Sequence, residues 1–122
     1  PPTEDAERTQ SGDEFYPRAL GAAVRHVHAA TGRPIFVTEN GLAAADDEQR
    51  RRYIAAALAS LDEARRAGTP VIGYLHWSLL DNFEWRRGYA QQFGLAAVDR
   101  CTFRRAPKPS AGVYADLVAA RR

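Results

Sequence analysis

The chain has no methionine, a single cysteine (Cys101) and a single lysine (Lys108) among its 122 residues. One thiol excludes an internal disulfide framework and favours a reducing compartment, so a cytoplasmic location is expected. Opening on Pro1-Pro2 without an initiator, the sequence reads as processed, truncated or excerpted. No apolar run approaches the roughly 18 residues of a membrane span and no signal-peptide pattern opens the chain, so no membrane partner is expected. Large apolar side chains are also scarce: Leu, Ile, Val and Phe fill 24 positions while Ala alone fills 23. That is thin material for a self-sufficient core. Charge of one sign is missing too, with 17 basic and 15 acidic residues giving +2. This excludes a polyelectrolyte and, because the excess is scattered, argues against a nucleic-acid partner. The clusters Arg50-Arg51-Arg52 and Arg65-Arg66 are interleaved with Asp46, Asp47, Glu48, Asp62 and Glu63 and read as a solvated helix face.

What is present alternates between helix and strand. Residues 1–12 are a polar lead-in or loop. A helix is expected from Asp13, with Pro17 in its first turn, Leu20, Ala23, Val24 and Val27 at helical spacing, and Gly32 at its end. Residues 34–39 are short, apolar and β-branched, a buried strand that stops at Glu39-Asn40-Gly41. A second helix spans 46–67, opened by a capping box of Asp46 and Gln49, with Ile54, Ala57, Leu58 and Leu61 on one face. Gly68 and Pro70 end it. Residues 70–77 form a near-continuous apolar strand, as expected of one covered on both faces. A long aromatic loop runs from Ser78 to about Arg105, and a last helix covers 110–121. Alternating α/β order implies a parallel sheet with right-handed crossovers. Two strands do not make a stable sheet alone, so further strands are expected from elsewhere.

In parallel α/β folds, sites form at the carboxyl ends of strands. Strict alternation places Glu39 on the face of Ile35 and Val37, where a carboxylate must be hydrogen-bonded or used. A turn-capping acid fits Thr38-Glu39-Asn40-Gly41 as well. The second strand ends in Trp77 and runs into Ser78-Leu79-Leu80-Asp81-Asn82-Phe83-Glu84-Trp85, which holds both tryptophans of the chain. Flat aromatic faces stack on the C–H faces of sugar rings while acids and amides bind hydroxyls. Aromatic core filling is the competing explanation.

Together these segments, Ile35-Phe36-Val37-Thr38-Glu39-Asn40-Gly41 and Gly73-Tyr74-Leu75-His76-Trp77 through Trp85, resemble glycoside hydrolase family 1, the β-glucosidases. Gly88-Tyr89, Phe93-Gly94-Leu95, Val98-Asp99 and Pro107-Lys108-Pro109-Ser110 continue the resemblance, which covers nearly everything from about Glu14 onward. It implies a partial TIM (β/α)8 barrel, 34–39 and 70–77 standing as its seventh and eighth strands. It implies that Glu39 is the nucleophile of a retaining glycosidase, that Trp77 packs against the glycone, and that Glu84 and Trp85 hydrogen-bond the glycone's outer hydroxyls. An acid at 84 would repel a phosphorylated sugar, so the expected substrate is a small-molecule β-glycoside or oligosaccharide with an unphosphorylated glucosyl, galactosyl or fucosyl end. No cofactor and no metal is expected.

Three departures stand out. Asp13 and Ala19 replace a tryptophan and a glycine common in the family, and His76 stands where a small apolar residue is frequent. His76 is expected to be a hydrogen-bonded core residue, and His26 and His28 helix-surface residues. The family's acid/base glutamate precedes a proline, and none of Glu4, Glu7, Glu14, Glu39, Glu48, Glu63 and Glu84 does. The chain alone is therefore expected to be inactive, the C-terminal portion of an enzyme. The alternative is a free-standing remnant that binds sugar weakly or docks onto another barrel. Oligomeric state is left open.

Overall fold

The computed structural model describes residues 6–121. Elements follow in the order α1 (Ala19–Thr31), β1 (Ile35–Asn40), α2 (Asp47–Arg66), β2 (Val71–His76), a 3-10 turn (Trp85–Arg87), β3 (Ala96–Val98), β4 (Arg105–Pro107) and α3 (Pro109–Ala119). β1 and β2 pair in parallel, and β3 and β4 form a separate antiparallel ribbon. No described helix is long and apolar enough to cross a membrane.

α1 starts at Ala19 rather than Asp13, because the preceding backbone is committed elsewhere. Arg8 and Glu14 form an antiparallel bridge, and Phe15 N–H donates to the Glu7 carbonyl at 2.7 Å. A segment folded on itself has no free groups with which to begin a helix. Gly32 closes α1 in the left-handed region (φ 66°), donating to the His28 carbonyl. Of the expected α1 face, Val24 is buried, but Val27 lies 45% exposed.

α2 is capped by Asp46, whose carboxylate accepts from Glu48 N–H at 2.9 Å. Gln49 does not complete a capping box. Its Nε2 donates instead to Glu7 Oε1 and the Arg8 carbonyl, fastening the N-terminal segment to the helix. Ile54, Ala57, Leu58 and Leu61 are buried, and Ile54, Leu58 and Leu61 form the core with Val24, Val37, Ala64 and Leu95. That core lies between the helices and one face of the β1–β2 sheet.

The other face is bare. Phe36, Leu75 and Ile72 are exposed, the last at 68%. Phe36 lies over β2 where Gly73 has no side chain: a Cβ there would come within 2.3 Å of the ring. The apolar run of β2 thus meets helices on one side only within this chain, against the expectation of cover on both.

The aromatic loop is more ordered than its sequence suggests. Leu95 N–H donates to the Ser78 carbonyl and Ala96 N–H to that of Leu79, both at 2.9 Å, so the two ends of the loop run side by side. β3 and β4, three residues each, have no alternation to betray them.

Arg50 corrects the solvated-face reading of the arginine triplet. Arg51 and Arg52 are exposed and paired with Glu48 and Glu7, but Arg50 is 1% exposed. Its guanidinium pairs with Asp47 and donates to the carbonyls of Ala44 and Gln92. Asp47 in turn accepts from the N–H and hydroxyl of Ser110, both at 2.8 Å, which caps the start of α3. Burial alone would raise the Asp47 carboxyl. The Ser110 hydrogen bonds and the Arg50 charge reverse this and hold it below the usual carboxylate range.

Removing one partner of a buried pair strands the other. Arg50→Ala is expected to lower unfolding free energy by about 3–5 kcal/mol in urea titration, whereas Arg51→Ala at an exposed pair should change it by less than about 1 kcal/mol. Arg50→Lys should not restore stability, since an ammonium lacks the fork that reaches Asp47 and two carbonyls together.

Candidate active site

The carboxyl ends of β1 and β2 lie side by side. The backbone N–H of Trp77 donates to the Asn40 carbonyl at 2.9 Å. Gly41 permits the close approach of the next residue: a Cβ there would fall 1.7 Å from the Trp77 carbonyl oxygen. Glu39, Asn40, Gly41 and Trp77 together line a cleft of about 260 Å³.

Glu39 does not share the face of Ile35 and Val37, as strict alternation required. The pairing runs Val37 opposite Tyr74 and then Asn40 opposite His76, so β1 has Thr38 and Glu39 where β2 has only Leu75. This bulge shifts the alternation by one residue. Asn40 takes the helix-facing position, and Glu39 emerges exposed on the bare face. Among the described residues its carboxylate takes no hydrogen bond. A carboxylate so presented is hydrated and available as a base or nucleophile.

The Asn40 amide is held at both ends. Its Nδ2 donates to the Tyr53 hydroxyl at 3.0 Å, and its Oδ1 accepts from the Tyr74 hydroxyl at 3.1 Å. Burial pushes both phenols up, with Asn40 partly offsetting this at Tyr53 and the neighbouring Tyr114 adding to it at Tyr74. Sequence reasoning did not find Tyr53 or Tyr74. Asn40 was legible only as part of a turn, and nothing local ties it to a helix thirteen residues on.

Trp77 is 37% exposed and lines the cleft. Glu84 and Trp85 lie apart from this lining, at the start of the 3-10 turn. Glu84 N–H donates to the Gly88 carbonyl at 2.7 Å, which closes the turn, and Trp85 is 85% exposed. The structure thus brings Glu39 and Trp77 to one lining, which Glu84 and Trp85 do not join. Asp81 is engaged elsewhere: its Oδ1 pairs with Lys108 Nζ at 2.9 Å and accepts from Gly94 N–H at 2.8 Å. Burial pulls the Lys108 ammonium down, against the support of Asp81.

A second cleft, of about 210 Å³, adjoins the first through Gly41 and is lined by Thr9, Asp13, Tyr16, Tyr53 and Phe93 among others. Asp13, one of the departures from the family pattern, stands on its wall. Among the described residues, no group of three or more His, Cys, Asp or Glu is placed to hold a metal ion.

His76 faces the helices beside Tyr114, ring centroids 5.7 Å apart. Contrary to the expected hydrogen-bonded core histidine, both ring nitrogens are buried without a partner among the described residues. His28, by contrast, makes an Nδ1 contact to the Arg33 carbonyl at 2.8 Å.

Comparison with known proteins places this geometry. The family model of glycosyl hydrolase family 1 matches residues 2–122. A β-galactosidase of Sulfolobus acidocaldarius is 41% identical over 106 residues, covering 87% of this chain and 22% of the relative. Beta-glucosidase 1 of Oryza sativa subsp. japonica is 41% identical over 115 residues, covering 86% of this chain and 22% of the relative. Among solved structures, apo β-glucosidase 1317 matches with a TM-score of 0.92 at 46% identity, over 98% of this chain and 30% of the other. The psychrophilic β-glucosidase BglU from Micrococcus antarcticus matches with a TM-score of 0.91 at 38% identity, over 99% and 28%. The chain therefore spans between a fifth and a third of these relatives' length, and its fold is part of an α/β barrel.

Burial, and secondarily the Arg50 charge, pulls the His76 imidazole from its ordinary 6.5 down to about 4. Between those values the unfolded chain binds a proton that the folded chain refuses, so folding stability falls as pH drops from 6.5 toward 4 and is indifferent to this group above 6.5. His76→Phe is expected to shrink the stability lost between pH 7 and pH 4.5 by about 2 kcal/mol. Urea midpoints of both proteins at the two pH values measure it.

Proposed function

Because this chain belongs to glycosyl hydrolase family 1, we propose that it carries the nucleophile side of a retaining β-glycosidase site, with Glu39 as the nucleophile. The observation behind this is the bulge at Thr38-Glu39, which turns an otherwise core-facing carboxylate onto the open face beside Trp77. Glu39 attacks the anomeric carbon as the glycosidic bond breaks, giving a covalent glycosyl-enzyme that water then hydrolyses with net retention. Trp77 offers its face to the glycone, and Glu84 and Trp85 hydrogen-bond its outer hydroxyls. β1 and β2 are then the seventh and eighth strands. The relatives act, by their names, on β-glucosides and β-galactosides, and a terminal unphosphorylated sugar of that kind is the substrate class proposed here.

Retention needs a second carboxyl about 5–5.5 Å from the first, as acid and then base. No glutamate here stands before a proline as that partner does in the family. The acid/base therefore comes from the part of the barrel outside these 122 residues, and the chain by itself turns over no substrate. The reaction draws on no cofactor and no metal.

In the complete protein, Glu39→Gln is expected to lower kcat on a chromogenic β-glucoside by at least about 10³-fold while sugar binding persists. Activity near the starting level would remove Glu39 from the mechanism. The purified 122-residue chain should show no hydrolysis of the same substrate above the uncatalysed rate.

A further inference from the structure

A nucleophile must be held as well as exposed, and the carboxylate of Glu39 has no hydrogen-bond partner among the described residues to hold it. Within this chain, what constrains it lies one residue along, on the opposite side of the sheet. We propose that Asn40 is a positioning residue for Glu39: the amide clamped between the Tyr53 and Tyr74 hydroxyls pins the β1 bulge, and the pinned bulge aims Glu39 at the cleft. This inference rests on the reading of Glu39 as nucleophile.

The argument is one of parity. With β1 and β2 in simple register, every second residue of β1 would face the helices, and Glu39 would sit there with Val37. The extra residue inverts that order only while position 40 holds the helix-facing site. Asn40 has reasons to hold it. Its Nδ2 donates to Tyr53 on α2, its Oδ1 accepts from Tyr74 on β2, and its carbonyl accepts from Trp77 N–H. One residue thereby joins α2, β2 and both walls of the cleft. The side chain suits the task, because an amide is a donor at one end and an acceptor at the other. Both phenols are shifted upward by burial, so they remain protonated across the working pH range. The edge-to-face contact of Phe15 with Tyr53 at 5.9 Å and the neighbouring Tyr114 keep the two rings in place. If the clamp is released, the bulge can relax toward simple register, which swings Glu39 away from substrate without altering its chemistry.

The test isolates the nucleophilic step in the complete protein. A 2-deoxy-2-fluoro glycoside with a dinitrophenolate leaving group needs no acid assistance. Its anomeric carbon is attacked by the Glu39 carboxylate, the bond to oxygen breaks, and dinitrophenolate departs, leaving a long-lived ester that intact mass spectrometry detects. Tyr53→Phe/Tyr74→Phe removes both hydroxyls and keeps the rings. Asn40→Ala removes the amide. Each is expected to slow labelling at least 30-fold at saturating reagent, with the half-saturating concentration within about threefold of the parent. The double variant preserves shape and so reads out even if Asn40→Ala fails to fold. A labelling rate within twofold of the parent in the double variant overturns the proposal, and a lowered melting temperature with that unaltered rate means a purely structural role. Glu39→Gln separates the underlying reading. Loss of all labelling there supports the nucleophile assignment whatever the Asn40 result, while labelling that persists on another residue overturns both.

Discussion

One buried cation organises the end of the molecule on which the site stands. The Arg50 guanidinium reaches, from the first turn of α2, the loop that follows β1 at Ala44 and the chain ahead of β3 at Gln92, and its ion pair hands the link on to α3 through Asp47 and Ser110. Three stretches remote in sequence, around residues 44–50, 92 and 110, are tied together through this one ion pair. Taking a guanidinium out of water costs several kcal/mol unless its donors are matched. The planar fork matches three acceptors at once, which a lysine in the same place could not. The loops carrying Gly41 and the Phe93-Gly94 stretch therefore inherit a fixed spacing, and the strand ends open onto a defined floor.

The strands that carry Glu39 and Trp77, and the helix between them, were legible in the sequence. The run into Glu39 and the long motif from Gly73 to Trp85 pointed to chemistry through their resemblance to the family, and the apolar face of α2 follows from its 3.6-residue period. What escaped has a common cause: it depends on partners distant in sequence. Arg50 looks like its neighbours Arg51 and Arg52 because their difference lies in carbonyls at 44 and 92. Gln49 fits a capping box until the N-terminal segment claims its amide. The bulge at Thr38-Glu39 is a property of two strands together, and period-two reasoning on one of them must miss it. β3 and β4 are too short and too rich in alanine and proline to carry a pattern.

The two faces of the sheet differ in how finished they are. On the helix side, Val37, Tyr74 and the α2 leucines pack into one core with α1 and α3. On the other, Phe36 and Leu75 stand open beside the carboxylate. In an α/β barrel that second face is the interior, filled by side chains from the remaining strands. The exposure is thus a property of a part, and the Glu39 cleft borders what becomes the packed centre of the whole.

The passage of the Trp77 carbonyl over Gly41 has a consequence for redesign. With less than 2 Å between that oxygen and where any Cβ would sit, position 41 admits one residue only. The two strand ends are consequently inseparable as units of change. The Trp77 ring can be exchanged while its backbone stays put, but any variant that moves that backbone must first renegotiate the turn next to Glu39. A laboratory library that randomises 41 spends all but one of its twenty codes on broken molecules, and one that randomises 77 leaves the turn at residues 40 and 41 untouched.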